Sequence, residues 1–140
     1  MKTGSDQRYL YLDSSAAVKL MTREAETSAL EALLANVDGL LTSSVTAVEI
    51  ARAAVRFGNR TVLQQVEDVR ESLVFVDMTA SIIALAGTLA PRELRSLDAI
   101  QLATAMSLDL GDEGRLEFVA YDDRLAEAAR RAGLSVIRPR

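Results

Sequence analysis

The chain contains no cysteine and no histidine, and these two absences remove most of the familiar catalytic inventory. Without cysteine there are no disulfides, thiolate ligands or sulfur nucleophiles, which fits a reducing compartment. Without histidine there is no Ser-His-Asp triad and no imidazole to bind a metal or relay a proton. Zinc is disfavoured on both counts, because thiolates and imidazoles are its usual ligands. Long apolar runs are missing too. The longest, Ile82 to Ala90, is interrupted by Gly87 and Thr88 and is far shorter than a membrane span. The opening MKTGSDQRYL has no apolar stretch of signal-peptide length, so a cytoplasmic setting without membrane contact is expected. With two prolines and no Gly- or Ser-rich tract, the chain shows no linker. Positive charge is scarce: 16 basic residues face 20 acidic ones, a net charge of −4. Proteins that neutralise phosphates with their own side chains are usually basic. A nucleic-acid partner would need bound divalent cations to supply the missing charge.

What remains is carboxylates, hydroxyls, Lys and Arg on a chain of 140 residues, 49% of them hydrophobic. That is one ordinary domain with enough apolar material for a core. Fourteen of the 16 basic residues are Arg, which an Ala- and Arg-rich composition explains without invoking phosphate. YLYL at Tyr9–Leu12 is β-prone and ends at Asp13, and Ser14 opens a short helix. Glu24 to Val37 repeats apolar residues at helical spacing (Ala29, Leu30, Leu33, Leu34). LLTSS reads as a strand, and Val45 to Phe57 as a helix stopped by Gly58. Thr61 to Leu73 reads as a helix with Leu63, Val66, Val69 and Leu73 on one side. VFVDM follows as a strand, then a helix from Ala80 to Ala90 ended by Pro91, then a helix capped by Ser96. Leu116–Tyr121 reads as a strand, Asp122–Ala132 as a helix and Ser135–Ile137 as a last strand. Strands alternating with helices predict a mainly parallel sheet covered on both faces. The functional crevice of such sheets lies beyond the carboxyl ends of the strands. The expected organisation is a flexible segment over 1–8 and one domain over 9–138.

Four acids stand out, though each has a structural explanation of its own. Asp13 and Asp122 can cap the helices that follow them. Glu49 can close a capping box with Thr46 or pair with Arg52. Asp98 sits in a first helical turn, where negative charge is favoured. Their conjunction is harder to explain by capping alone. Two of them follow strands and two lie early in helices, and apolar flanks (YLYLD, LDAIQLA, EFVAYD) place them near the core. Clustered, partly buried carboxylates repel unless a cation neutralises them. Mg²⁺ or Mn²⁺ suits all-oxygen ligands, and phosphodiester hydrolysis then needs no histidine. Gly111–Gly114 reads as an acidic turn with too few ligands for a calcium loop.

The stretches YLDSSAAVKL, SSVTAVEIARA, LRSLDAIQLATA and FVAYDDRLAEAARRAGL resemble, in order and spacing, the four acidic motifs of PIN domains, especially VapC toxins. The likeness runs from about Tyr9 to Val136, and LDAIQLATA is its most distinctive part. It implies a three-layer α/β/α PIN domain acting as a Mg²⁺-dependent endoribonuclease, the toxin of a toxin–antitoxin pair. By the same resemblance Asp13, Glu49, Asp98 and Asp122 form the acidic quartet. Asp13, Asp98 and Asp122 would contact Mg²⁺ (or Mn²⁺), and Glu49 would complete the site. Ser14 and Arg52 match positions that are often Ser/Thr and Arg, with supporting or RNA-contacting roles. The family implies an RNA substrate, a VapB-like antitoxin and a homodimer. Two positions depart from the pattern: Ala120 replaces a frequent Ser/Thr two residues before the last acid, and Gln101 replaces a frequent His. A catalytically silent PIN-domain binding module is the alternative. A Mg²⁺-dependent phosphatase is disfavoured, because Asp13 is followed by Ser14 and Ser15 and not by a D-x-D pattern.

Overall fold

The central strand is apolar beyond its first residue. In β1 (Arg8–Leu12), Leu10, Tyr11 and Leu12 are all fully buried, as expected of a strand covered on both faces. The computed structural model describes residues 7–108, 110 and 114–140. Residues 1–6 of the expected flexible segment, and all of the acidic turn but Gly114, lie outside the described residues. After β1 come α1 (Ser14–Lys19), α2 (Thr27–Leu34), β2 (Gly39–Ser43), α3 (Ser44–Phe57), α4 (Arg60–Ser72) and β3 (Val74–Val76). The rest is α5 (Ala80–Ala86), α6 (Ser96–Ser107), β4 (Arg115–Val119), α7 (Asp123–Arg131) and β5 (Ser135–Ile137). The five strands form one sheet in the order β3-β2-β1-β4-β5, every pair parallel.

Alternation along the strands separates two cores. Leu10, Leu12 and Val119 pack with Ala16 and Ala17 of α1, Leu30 of α2, Ile50 of α3 and Val66 and Val69 of α4. Tyr11, Phe118 and Ala120 pack with Leu102 and Ala105 of α6 and with Leu125, Ala128 and Ala129 of α7. The result is the expected three-layer α/β/α arrangement. The order reverses at β1: β2 and β3 lie on one side of it, β4 and β5 on the other. At the opposite edge, the Tyr9 ring fills the space beside Gly39 and Gly114. A Cβ at those positions would meet that ring at 2.9 and 2.8 Å.

Several boundaries differ from the sequence reading, each for a local reason. The helix expected from Glu24 begins at Thr27, whose hydroxyl accepts from the Glu24 amide (2.9 Å) and donates to the Lys19 carbonyl (2.8 Å), tying 19–27 into a turn. The helix expected to reach Ala90 ends at Ala86, where the Thr88 hydroxyl takes the Leu85 carbonyl. The buried stripe of α4 is Val62, Val66, Val69 and Leu73; Leu63 is 50% exposed. Ser96 is the first helical residue and not the cap, which is Arg95 without a side-chain bond. β4 ends at Val119, so Asp122 lies three residues beyond the strand. Gly58 ends α3 in the left-handed region, at φ 45°. Among the described residues no helix is long and apolar enough to cross a membrane.

Candidate active site

Each of the four acids is placed by the start of a helix at the carboxyl edge of the sheet. Asp13 follows β1 directly and caps α1, accepting from the Ala16 amide (2.9 Å) and the Ser15 hydroxyl. Asp122 caps α7 through the Leu125 amide (2.9 Å). Asp98 is in the first turn of α6. Glu49 lies one turn further into its helix, α3, and accepts from the Ser14 hydroxyl at 2.7 Å. The capping-box reading of Glu49 does not hold. Ser43 caps α3, while Thr46 is buried and bonded to Thr42 and Gln101. Among the described residues no ion pair joins Glu49 to Arg52, which is exposed on α3 and does not line the crevice.

Asp13, Glu49, Asp98 and Asp122 all line one open cavity of about 580 Å³ together with Ser14. Two cations that no sequence motif assigns to the site also line it, Lys19 and Arg95. Lys19 is held by Glu24 and Glu26 (both 3.2 Å) and lies 4.8 Å from the Tyr121 ring centroid. Arg95 stands two residues before the Leu97–Ala99 segment that carries Asp98. Being one of only two lysines, placed six residues after Asp13, was the one signal that marked Lys19. The walls carry five acids (Asp13, Glu24, Glu49, Asp98, Asp122) against these two bases, so the crevice favours cations.

The cost of that arrangement falls on Asp13. Burial, with smaller contributions from Asp98 and Glu49, pushes its carboxyl up to about 6 against the opposing bonds from Ala16 and Ser15. Asp98 is raised as well, by burial and then by Asp122 and Glu49, while Arg95 opposes the shift. Asp123 points away: it pairs with Arg138 at 2.7 Å, which holds its carboxyl below the usual range. Of the doubled acid, therefore, only Asp122 faces the crevice. Ala120 is fully buried against the second core and offers Asp122 no hydrogen bond. The Leu125 amide takes over the orienting role. The donor set is all hard oxygen, which matches Mg²⁺ or Mn²⁺. Among the described residues no three acidic side chains close tightly enough to hold an ion by themselves.

The model of the PIN domain family matches residues 10–131. The chain is 41% identical to Ribonuclease VapC46 of Mycobacterium tuberculosis, an alignment covering 93% of this chain and 97% of that protein. It is 34% identical to Ribonuclease VapC47 of the same organism, over 93% and 96% of the two chains. In fold it resembles a chain of the VapBC2 crystal structure from Rickettsia felis, bound to a DNA fragment from its promoter. The TM-score is 0.62 at 13% identity, covering 94% of this chain and 99% of that one. The chain thus belongs to the PIN-domain family, alongside its VapC members.

Proposed function

We propose that this protein is an endoribonuclease dependent on Mg²⁺ or Mn²⁺, acting in the cytoplasm as the toxin of a toxin–antitoxin pair. The observation that carries this reading is the convergence of four carboxylates, from four separate helix starts, on one cavity. The ribonuclease names of relatives at 34–41% identity support the choice of substrate. Asp13, Asp98 and Asp122 would hold the cation, directly or through its bound water, with Glu49 completing the site. When bound, the cation offsets their mutual repulsion and stabilises negative charge developing on the phosphate. The chain's own residues do the rest. Backbone amides aim Asp13 and Asp122 into the crevice. Ser14 occupies Oε1 of Glu49, leaving Oε2 to accept the proton of an attacking water as the P–O bond to the departing ribose breaks. Lys19 and Arg95 stand at the wall where the flanking phosphates of RNA would lie. The free cationic demand of the crevice also suits a VapB-like antitoxin that presents a basic side chain, and a homodimer is part of the same reading.

The test is incubation of the purified protein with total RNA, with and without Mg²⁺ or Mn²⁺, beside Asp13→Ala. Metal-dependent cleavage that Asp13→Ala abolishes is the expected result. No cleavage by either protein would select the alternative of a catalytically silent binding module.

A further inference from the structure

Behind the acids lies a buried polar chain built from other residues of the same segments. Gln101 of α6 is 1% exposed and does not line the cavity. Its Oε1 accepts from the Tyr11 phenol at 2.5 Å. Its Nε2 donates to Ser14 Oγ and to Thr46 Oγ1, both at 2.8 Å. An amide nitrogen has two hydrogens, and both are used. Beyond Thr46, its hydroxyl meets that of Thr42 at 2.7 Å, and Thr42 donates to the Leu12 carbonyl at 2.7 Å. A single side chain therefore ties β1, α1 and α3 to α6, and through Thr46 the bonds continue to β2. Its orientation also has a consequence at the site. Ser14 accepts from Gln101, so the one hydrogen of its hydroxyl is left for Glu49 at 2.7 Å. With the amide turned over, Oε1 would face Ser14 and compete for that hydrogen, and Glu49 would lose its donor.

We propose that Gln101 is a positioning residue: by donating to Ser14 it commits the Ser14 hydroxyl to Glu49 and so fixes how the Glu49 carboxylate faces the crevice. The inference rests on the ribonuclease reading of the crevice only for its kinetic consequence; the bond chain itself is independent of it. Gln101 does not line the cavity and bonds to none of the four acids; it acts through Ser14. A residue that merely filled space would tolerate loss of the amide, provided its volume were kept.

The experiment uses the full-length protein with ¹³C-labelled glutamate carboxyls and ¹⁵N-labelled side-chain amides, the Glu49 signal assigned with Glu49→Gln. Gln101→Met and Ser14→Ala should displace the Glu49 carboxyl signal in the same direction. On RNA with Mn²⁺, each should lower kcat roughly tenfold with KM within about twofold. The double variant should be no slower than the slower single one, because both changes remove the same bond. Gln101→Glu keeps the shape but accepts from Ser14, and should be as impaired as Gln101→Met. A Glu49 signal unmoved by Gln101→Met, losses that multiply in the double variant, or a fully active Gln101→Glu would each overturn the proposal. Should the Gln101 variants fail to fold, Ser14→Ala must still displace the Gln101 amide and Glu49 carboxyl signals together; an unmoved Glu49 signal again overturns it. If the unaltered protein cleaves no RNA, the ribonuclease reading fails, and the spectroscopic displacements decide the positioning role alone.

Discussion

Tyr11 and Phe118 face each other in register on neighbouring parallel strands, their rings stacked with centroids 5.3 Å apart and planes 5° from parallel. Asp13 follows the first ring by two residues and Asp122 follows the second by four. The stack thus lies within the β1–β4 register that sets the level at which the two acids leave the sheet.

The stack and the Tyr11 phenol can be separated by mutation. Phe118→Ala should cost about 3–5 kcal/mol, as expected for deleting a fully buried ring. Tyr11→Phe keeps the stack but strands the Gln101 carbonyl oxygen, and should cost about 1–3 kcal/mol. Urea unfolding of both variants measures the difference. Equal losses would mean that the bond from Tyr11 to Gln101 of α6 contributes as much as the ring pair.

Stability without metal should depend on pH through Asp13. Its folded value of about 6 lies above the ~3.9 of an unfolded aspartate. Between the two, the native state binds more protons, so this stabilisation is complete below ~4 and is lost as pH rises through 6. The gap corresponds to roughly 2–3 kcal/mol. Asp98, also raised, contributes with the same sign. Asp123 and Glu26, both lowered, act oppositely, so the informative quantity is wild type minus Asp13→Asn. Urea midpoints in chelator at pH 4.5 and 7.5 should show that difference shrinking at low pH. A difference independent of pH would remove burial as the cause.

Divalent cations should reverse that penalty. Millimolar Mn²⁺ at pH 7.5 should raise the melting temperature, because a ligand specific to the folded state stabilises it by mass action. Asp13→Asn/Asp98→Asn should lose the increment and melt higher than wild type in chelator. An equal response in both proteins would sink the metal site.

The doubled acid offers a test of orientation. Asp122→Asn should abolish RNA cleavage, whereas Asp123→Asn should stay within a few-fold of wild type, since Asp123 is committed to Arg138 outside the crevice. The opposite ranking would mean that Ala120 has let the site slip by one residue.

Much of this was legible because it is written in local periodicity. YLYL is apolar without alternation, as a doubly covered strand must be, and Gly58 stops α3 where a left-handed residue is required. The four acids were recognisable because Asp13 and Asp122 follow apolar strand segments while Glu49 and Asp98 lie early in helices with apolar flanks. What escaped depends on contacts between distant elements. Thr46 and Glu49 have the spacing of a capping box, yet Thr46 turns inward to Gln101 while Glu49 turns toward Ser14. No pattern within α3 distinguishes these outcomes. Val62 and Leu63 are equally apolar, and only the angle at which α4 meets the core decides which of them is buried. Lys19 reaches the crevice because Glu24, Glu26 and Tyr121 hold it there, an arrangement assembled from three separate segments.

Because Asp13 and Asp122 are also helix caps, charge and architecture can be lost separately. Asparagine caps a helix about as well as aspartate, so exchange of either acid for its amide removes the negative charge while the helix start survives. One nucleotide change in the codon suffices. A lineage carrying this gene therefore stands one step from an intact but inert copy, still able to engage whatever recognises its surface, with no unstable intermediate on the way. An exchange for alanine would remove the cap along with the charge. Among naturally inactivated copies, amide replacements at these two positions should accordingly outnumber alanine.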